Sequence, residues 1–336
     1  MKWEPSPRAT MPDDPDPTLP GDRELDLAIL RVMYPSGHIE PAGIDPRLNA
    51  TRIARRLRVG RGVIAQRLRA WSEFGFLVQY DVWPNPALFG QAPVWLDVRV
   101  ADRLQKEAVL ERIGLVPGAV MALDVAGEWI AATFLRPVDE EPRRLADLVR
   151  NLSGVAEVGP ASGGKVLAPD RLPTPLDFRI LRVLRRHPRE SLATIARLAR
   201  VSTRTITTRY HRLIEDRAAW FVPIYDFRAL TEPVLSVNVR CASASDRERF
   251  ARSLYRAYPR LLEFLRSPAS PMLTEDRLGC VIIARSAARM EGIERWIRRQ
   301  PGVLDCELAV MIRQVVYPET FDRLLASMPG NAPIPS

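Results

Sequence analysis

Thr194-Ile195-Ala196-Arg197-Leu198-Ala199-Arg200-Val201, followed by Ile206 and Arg209, decides the reading of this chain. Arg52-Ile53-Ala54-Arg55-Arg56-Leu57-Arg58-Val59, followed by Ile64 and Arg67, repeats it at the same spacing. Ahead of each run stands the pattern Leu-Asp-x-x-Ile-Leu-Arg-Val, at Leu25 to Val32 and again at Leu176 to Val183. A repeat of roughly 145 residues is too long for a solenoid unit, so the pattern predicts a duplicated two-domain module.

Apolar residues at helical spacing predict helices over Arg23–Tyr34, Thr51–Arg58 and Gly62–Phe74, then over Pro175–His187, Leu192–Ala199 and Thr203–Asp216. Ser191 and Ser202 suit the N-caps of the last two, whereas the first copy has Gly60 where the second has Ser202. The short turn between the second and third helix of each set predicts a helix-turn-helix. Phe76–Trp83 and Trp220–Phe227 read as β-wings, with Tyr80-Asp81 and Tyr225-Asp226 at matching positions. The first copy also carries about nine extra residues in the Pro/Gly-containing stretch 35–48.

After each predicted winged helix-turn-helix, here called a reader, comes a second pattern. Pro93–Ala101, Leu104–Ile113, Gly118–Leu135 (two strands joined at Gly127), Glu140–Leu152 and Val155–Pro160 spell βαββαβ, the order of a ferredoxin-like sandwich. Pro233–Cys241, Asp246–Ala257, Leu261–Leu265, Leu278–Ala284, Ala288–Gln300 and Val303–Val310 repeat that order, and a last helix fits Glu319–Met328. The expected fold class is therefore α+β. Its parts are a Pro- and Asp-rich disordered tail over 1–20, a winged helix-turn-helix over 21–86 and a ferredoxin-like domain over 90–161. A linker over 162–174, a second winged helix-turn-helix over 175–228 and a second ferredoxin-like domain over 232–328 complete the series.

Charge is distributed unevenly. Residues 22–80 hold ten arginines against six acids, and residues 170–228 hold thirteen against six. The excess in these two stretches outweighs the whole-chain net charge of +9, so the rest of the chain is slightly acidic. Acids are absent from 47–69 and from 191–214, which contain eight and five arginines. Arg-rich codon usage explains arginine in place of lysine but not the missing acids, which phosphate contact explains. Three scattered cysteines (Cys241, Cys280, Cys306) and three histidines (His38, His187, His211) predict reduced thiols and neither a zinc site nor a cofactor. No apolar run reaches membrane-spanning length and the N-terminus lacks signal-peptide chemistry, so a cytoplasmic protein is expected.

In this order, and twice, these motifs resemble the Lrp/AsnC family of transcriptional regulators, in a tandem form covering about 22 to 328. The reader match is best over 176–215, where Leu-Asp-x-x-Ile-Leu, Ile-Ala and Val-Ser-x-x-Thr-Ile-x-x-Arg occur. In the second domain it is best over 117–155, with Pro117-Gly118-Ala119-Val120, Gly127-Glu128-Trp129 and Gly154-Val155. The resemblance implies a non-enzymatic regulator that binds double-stranded DNA, and a ferredoxin-like domain that senses a small, amino-acid-like effector and oligomerises. Asp124, Gly127 and Glu128, in the turn Asp124–Trp129, are the implied effector contacts; an ordinary hairpin turn with Trp129 packed inside is the other reading. The second copy replaces that turn with Ser267–Asp276, a loop containing Pro268 and Pro271, so the site is not transferred to it. With two readers in one chain, the expected unit is an intramolecular pseudo-dimer on an imperfect palindrome, with homo-oligomers implied by the resemblance.

A recognition helix buries one stripe and presents another to the major groove. With Ile206, Tyr210 and Leu213 inward, Arg204, Thr208 and His211 face outward, flanked by Thr207 and Arg212. Arg204 suits guanine O6/N7 and the threonines offer hydroxyl and methyl contacts, while Arg200 and Arg209 suit phosphate and Ser202 starts the helix. In the first reader Ile64, Leu68 and Trp71 inward leave Gly62, Gln66 and Arg69 outward. Gln66 suits adenine; Arg55, Arg58, Arg61 and Arg67 suit phosphate. The alternative for each is solvated helix surface. Two rival functions remain at this point. One is a tetrapyrrole enzyme like siroheme decarboxylase, which uses a similar tandem, although no histidine falls in 90–165 or 230–315. The other is a non-specific architectural DNA binder, favoured by the arginine excess alone.

Overall fold

The computed structural model describes residues 23–33, 50–163, 166, 168–230, 233–257, 261–262, 277–284 and 287–328. The expected tail over 1–20, the insertion at 35–48 and the loop Ser267–Asp276 lie outside these residues. The architecture is mixed α+β. The first reader comprises α1 (Arg23–Met33), α2 (Ala50–Leu57) and α3 (Arg61–Glu73), then β1 (Leu77–Pro84). β2 (Gln91–Val100), α4 (Lys106–Leu115), β3 (Ala119–Val125), β4 (Trp129–Pro137), α5 (Pro142–Arg150) and β5 (Val155–Val158) follow. The stretch read as linker opens with a two-residue strand, β6 (Ser162–Gly163), paired with β2.

The second reader comprises α6 (Pro175–Arg186), α7 (Leu192–Leu198) and α8 (Thr203–Glu215), then β7 (Ala219–Tyr225). Next come β8 (Val234–Cys241), α9 (Ala244–Ala257), β9 (Leu261–Leu262), β10 (Arg277–Ile283), α10 (Ala287–Arg298), β11 (Val303–Val316) and α11 (Glu319–Ala326). Among the described residues, a nine-stranded sheet runs β5-β2-β4-β3-β11-β8-β10-β9, with β6 beside β2. Each half of that order places the first strand of a βαββαβ unit between its fourth and third, with the second outside. This is the ferredoxin-like arrangement, met twice in one continuous sheet.

Two pairings join the halves, and neither is visible in local pattern. The segments read as wings are single strands whose partner is each other: β1 pairs antiparallel with β7, from Leu77 opposite Tyr225 to Pro84 opposite Ala219. Phe76 stacks on Tyr225 with ring centroids 4.8 Å apart, and Tyr225 and Phe227 complete the core of the first reader beside Ile29, Ile53, Ile64 and Trp71. Val82 of β1 in turn joins the core of the second reader. The two readers therefore share a β-ribbon and exchange core residues. The second pairing comes from β11, which runs six residues past its expected end. Val303 to Val310 pair with β8, and Met311 to Val316 pair with β3. The extension Met311-Ile312-Arg313-Gln314-Val315-Val316 is rich in strand-forming residues and lacks Gly or Pro, so nothing stops the strand at Val310.

Polar groups fasten α11 and β1 onto the second reader. Arg185 of α6 pairs with Asp81 at 3.1 Å and with Asp322 at 2.6 Å, lying over the Phe321 ring. Burial raises the Asp81 carboxyl above its ordinary range, opposed by the Arg185 guanidinium. A carboxyl so raised favours the folded state most at low pH, and that contribution is lost as pH rises through its folded pKa. The thiols of Cys241 and Cys306 are buried, and burial pushes Cys306 up to about 12.

Candidate nucleic-acid interface

The second reader is built on caps. Thr174 and Asp177 form a capping box at the start of α6, Ser191 accepts from the Thr194 amide at 3.1 Å, and Ser202 accepts from the Thr205 amide at 3.1 Å. Each side-chain oxygen satisfies a backbone donor that the first helical turn leaves unpaired. In the first reader, Gly60 at the start of α3 makes no side-chain cap. Helix α8 buries Ile206, Tyr210 and Leu213 as expected; α3 buries Ile64, Arg67 and Trp71, with Leu68 partly covered.

Both turns end their helix in the same way. Arg58 and Arg200 adopt left-handed backbone with φ of 56° and 53°, and the next amides, Val59 and Val201, reach back to the Ala54 and Ala196 carbonyls at 3.0 and 2.9 Å. Glycine ordinarily takes this position, because a side chain there costs roughly 1–2 kcal/mol. Arginine occupies it in both readers, with its side chain exposed.

The open faces carry most of the expected residues. Arg55, Arg58, Arg61, Gln66 and Arg69 are exposed in the first reader, and Arg200, Ser202, Arg204, Thr208 and Arg212 in the second. Thr207 and His211 are half-buried; the Thr207 hydroxyl donates to the Thr203 carbonyl at 2.8 Å, and His211 packs edge-on to Tyr210. Two arginines depart from expectation. Arg67 is buried in a two-pronged ion pair with Asp26, and Trp71 Nε1 donates to the same carboxylate at 2.7 Å. It is not available to a phosphate. Its counterpart Arg209 pairs with Asp177 at 3.1 Å, with about a quarter of its side chain exposed. The signal was present in the repeat itself, since the Asp of Leu-Asp-x-x-Ile-Leu and this Arg recur together in both copies. Other exposed residues were missed, Arg197 and Val63 among them. Arg197 is the counterpart of Arg55, and Val63 is 49% exposed, out of phase with the buried stripe of α3.

Gly62 lies on the open face of α3, and a methyl group added at its Cα would meet nothing within 4 Å. Gly62→Ala should therefore raise the stability of the first reader by about 0.5–1 kcal/mol through helix propensity, read as slower hydrogen exchange of α3 amides.

The turn expected to hold an effector is already engaged. Asp124 is buried, pairing with Lys106 at 2.8 Å and with Arg313 of β11 at 3.3 Å. Lys106 also donates to the Val125 carbonyl and, at 3.0 Å, to that of Gly127. Glu128 is exposed, 3.8 Å from Arg99, and Trp129 is 39% exposed and not packed inside. Gly127 has a φ of 84°, as the hairpin turn requires. Asp124 thus fastens the β3–β11 seam and presents no open group.

Comparison with known proteins assigns part of this chain. Residues 174–214 match the AsnC-type helix-turn-helix domain. No curated protein matches the chain. Among solved structures, the siroheme decarboxylase NirDL is similar at 13% identity, covering 90% of this chain and 99% of that one, with a TM-score of 0.49. AsnC from E. coli is similar at 13% identity over 46% of this chain and 97% of that one, with a TM-score of 0.29. An AsnC family transcriptional regulator from Agrobacterium tumefaciens is similar at 20% identity over 40% and 86%, with a TM-score of 0.29.

Proposed function

From a chain that carries an AsnC-type helix-turn-helix domain at residues 174–214, we propose a sequence-specific, double-stranded-DNA-binding transcriptional regulator modulated by a small effector. The observation that carries this reading is the capped helix α8, whose open face holds Arg204, Thr208 and Arg212 in a stretch free of acids. Arg204 reads guanine through O6 and N7, and Thr208 and His211 flank it. Arg197, Arg200 and Arg212 contact phosphate. In the first reader Gln66 reads adenine, Val63 meets a thymine methyl, and Arg55, Arg58, Arg61 and Arg69 contact phosphate. The ribbon formed by β1 and β7 supports an intramolecular pair of readers. Because their faces differ, the site they read is an imperfect palindrome. Chemistry on a substrate forms no part of this reading.

Selection of bound duplexes from a random double-stranded pool at near-physiological salt tests it. Two unequal half-sites at fixed spacing are expected. Enrichment of nothing would leave an architectural binder, and absence of binding would remove the regulator reading. Arg204→Ala should cost about 1–3 kcal/mol on the selected site and relax its preference at one base. Arg58→Ala should weaken all duplexes alike and lower the salt slope by about 1. Identical behaviour of the two variants would refute the division of labour between readers.

A further inference from the structure

A cavity of about 400 Å³ lies between β4, α5 and α11. Pro117, Leu135, Leu145, Leu148 and Leu324 line its apolar side, and Arg136, Glu140 and Arg323 supply its charge. Glu140 lies 3.5 Å from Arg144 in an exposed pair. Arg136 uses Nη1 on the Pro137 and Val138 carbonyls, at 2.7 and 3.1 Å, and its Nε has no partner. Neither Arg136 nor Arg323 has an acidic partner among the described residues. With two arginines against one glutamate, the net charge lining the cavity is positive, against an apolar wall.

We propose that this cavity binds a small amphipathic monocarboxylate, its carboxylate held by Arg136 and Arg323 and its apolar body along the leucines. The volume sits near the lower end of the ~300–1,000 Å³ range of small-molecule sites, which suits a medium-length acid and not a macrocycle. An amino acid fits less well, because its ammonium group would face two guanidiniums against a single acid.

The wall that such a ligand meets is mechanically connected. Helix α11 turns Thr320, Arg323, Leu324 and Ser327 to the cavity. Arg182 of α6 holds the Leu325 carbonyl, at 2.8 Å through Nη2, and the Met328 carbonyl at 2.6 Å, while Arg185 holds Asp322. A ligand that shifts or orders α11 acts on the first helix of the second reader. This coupling rests on the regulator reading above; the binding site does not.

Titration calorimetry on the full chain with octanoate, decanoate and 3-phenylpropionate tests the site. At least one should bind, and Arg136→Gln, Arg323→Gln and the cavity-filling Leu148→Trp should each weaken it by about tenfold or more, with unchanged thermal unfolding showing that the variants are folded. No binding of any probe, or binding indifferent to all three variants, overturns the proposal. In wild type the bound acid should change affinity for the selected duplex by about fivefold or more. Binding of the acid with no change in DNA affinity refutes the coupling. Acid binding by a chain that selects no duplex refutes the regulator reading and leaves the site standing.

Discussion

Asp26→Ala should destabilise the first reader by about 3–5 kcal/mol, the expected loss when one partner of a buried ion pair is removed. Asp26 and Arg67 are 6% and 8% exposed, so the Arg67 guanidinium left behind stays largely shielded from solvent after losing its carboxylate. Trp71, fully buried, loses the acceptor of its indole N–H at the same stroke. Global melting would blur the effect across several domains; hydrogen exchange at α1 and α3 amides resolves it. Asp177→Ala in the second reader should lose less, about 1–2 kcal/mol. Arg209 remains partly hydrated there, and the main loss is the capping box with Thr174. A double substitution, Asp26→Leu with Arg67→Met, should recover much of the first loss because no charge stays buried. Equal losses in the two readers would show that burial is not what makes the first pair matter.

Gly118→Ala should cost about 3 kcal/mol or more and lower the unfolding temperature of the first α/β module. Gly118 has a φ of 90°, in the left-handed half of backbone space where a side chain is strained. A Cβ there would collide with the Leu135 carbonyl oxygen, and that atom is backbone that cannot rotate away. The two strands are also held together at this point, since the Leu135 amide donates to the Gly118 carbonyl at 2.7 Å. Relief by moving β3 from β4 would break that bond and open the cavity wall. A variant that melts with wild-type protein would mean that the hairpin adapts freely here.

Much of this fold was legible because the chain states it twice. Helix positions came from apolar spacing, and the observed α6, α7 and α8 end within a residue of expectation. The βαββαβ order was legible from alternating patterns and the Gly154 and Gly302 turns. What local pattern does not encode is partnership. Periodicity marks β1 and β7 as strands, but a strand's neighbour is fixed by chain topology, so their pairing was invisible. Arg67 was misread for a related reason: helical phase places it at the edge of the buried face, and only the tertiary approach of Asp26 decides between phosphate and carboxylate. Of the proposed interface, the exposed arginines were read from composition and the missing acids. The cavity was not, because its walls come from Gln91, Leu135, Leu148 and Arg323, brought together only by the fold.

The seam between β3 and β11 joins unlike edges: the second strand of one βαββαβ unit to the fourth strand of the other. A like-to-like edge contact closes on itself after two partners, whereas an unlike one has a direction and is completed only by a ring or an open series. Among the described residues, the two ends of the sheet are the same unlike kinds, β5 with β6 at one and β9 at the other. The molecule thus has a head and a tail. Any assembly that reuses this contact would be polar, adding copies in a single orientation, and capping one end alone would stop its growth from that side.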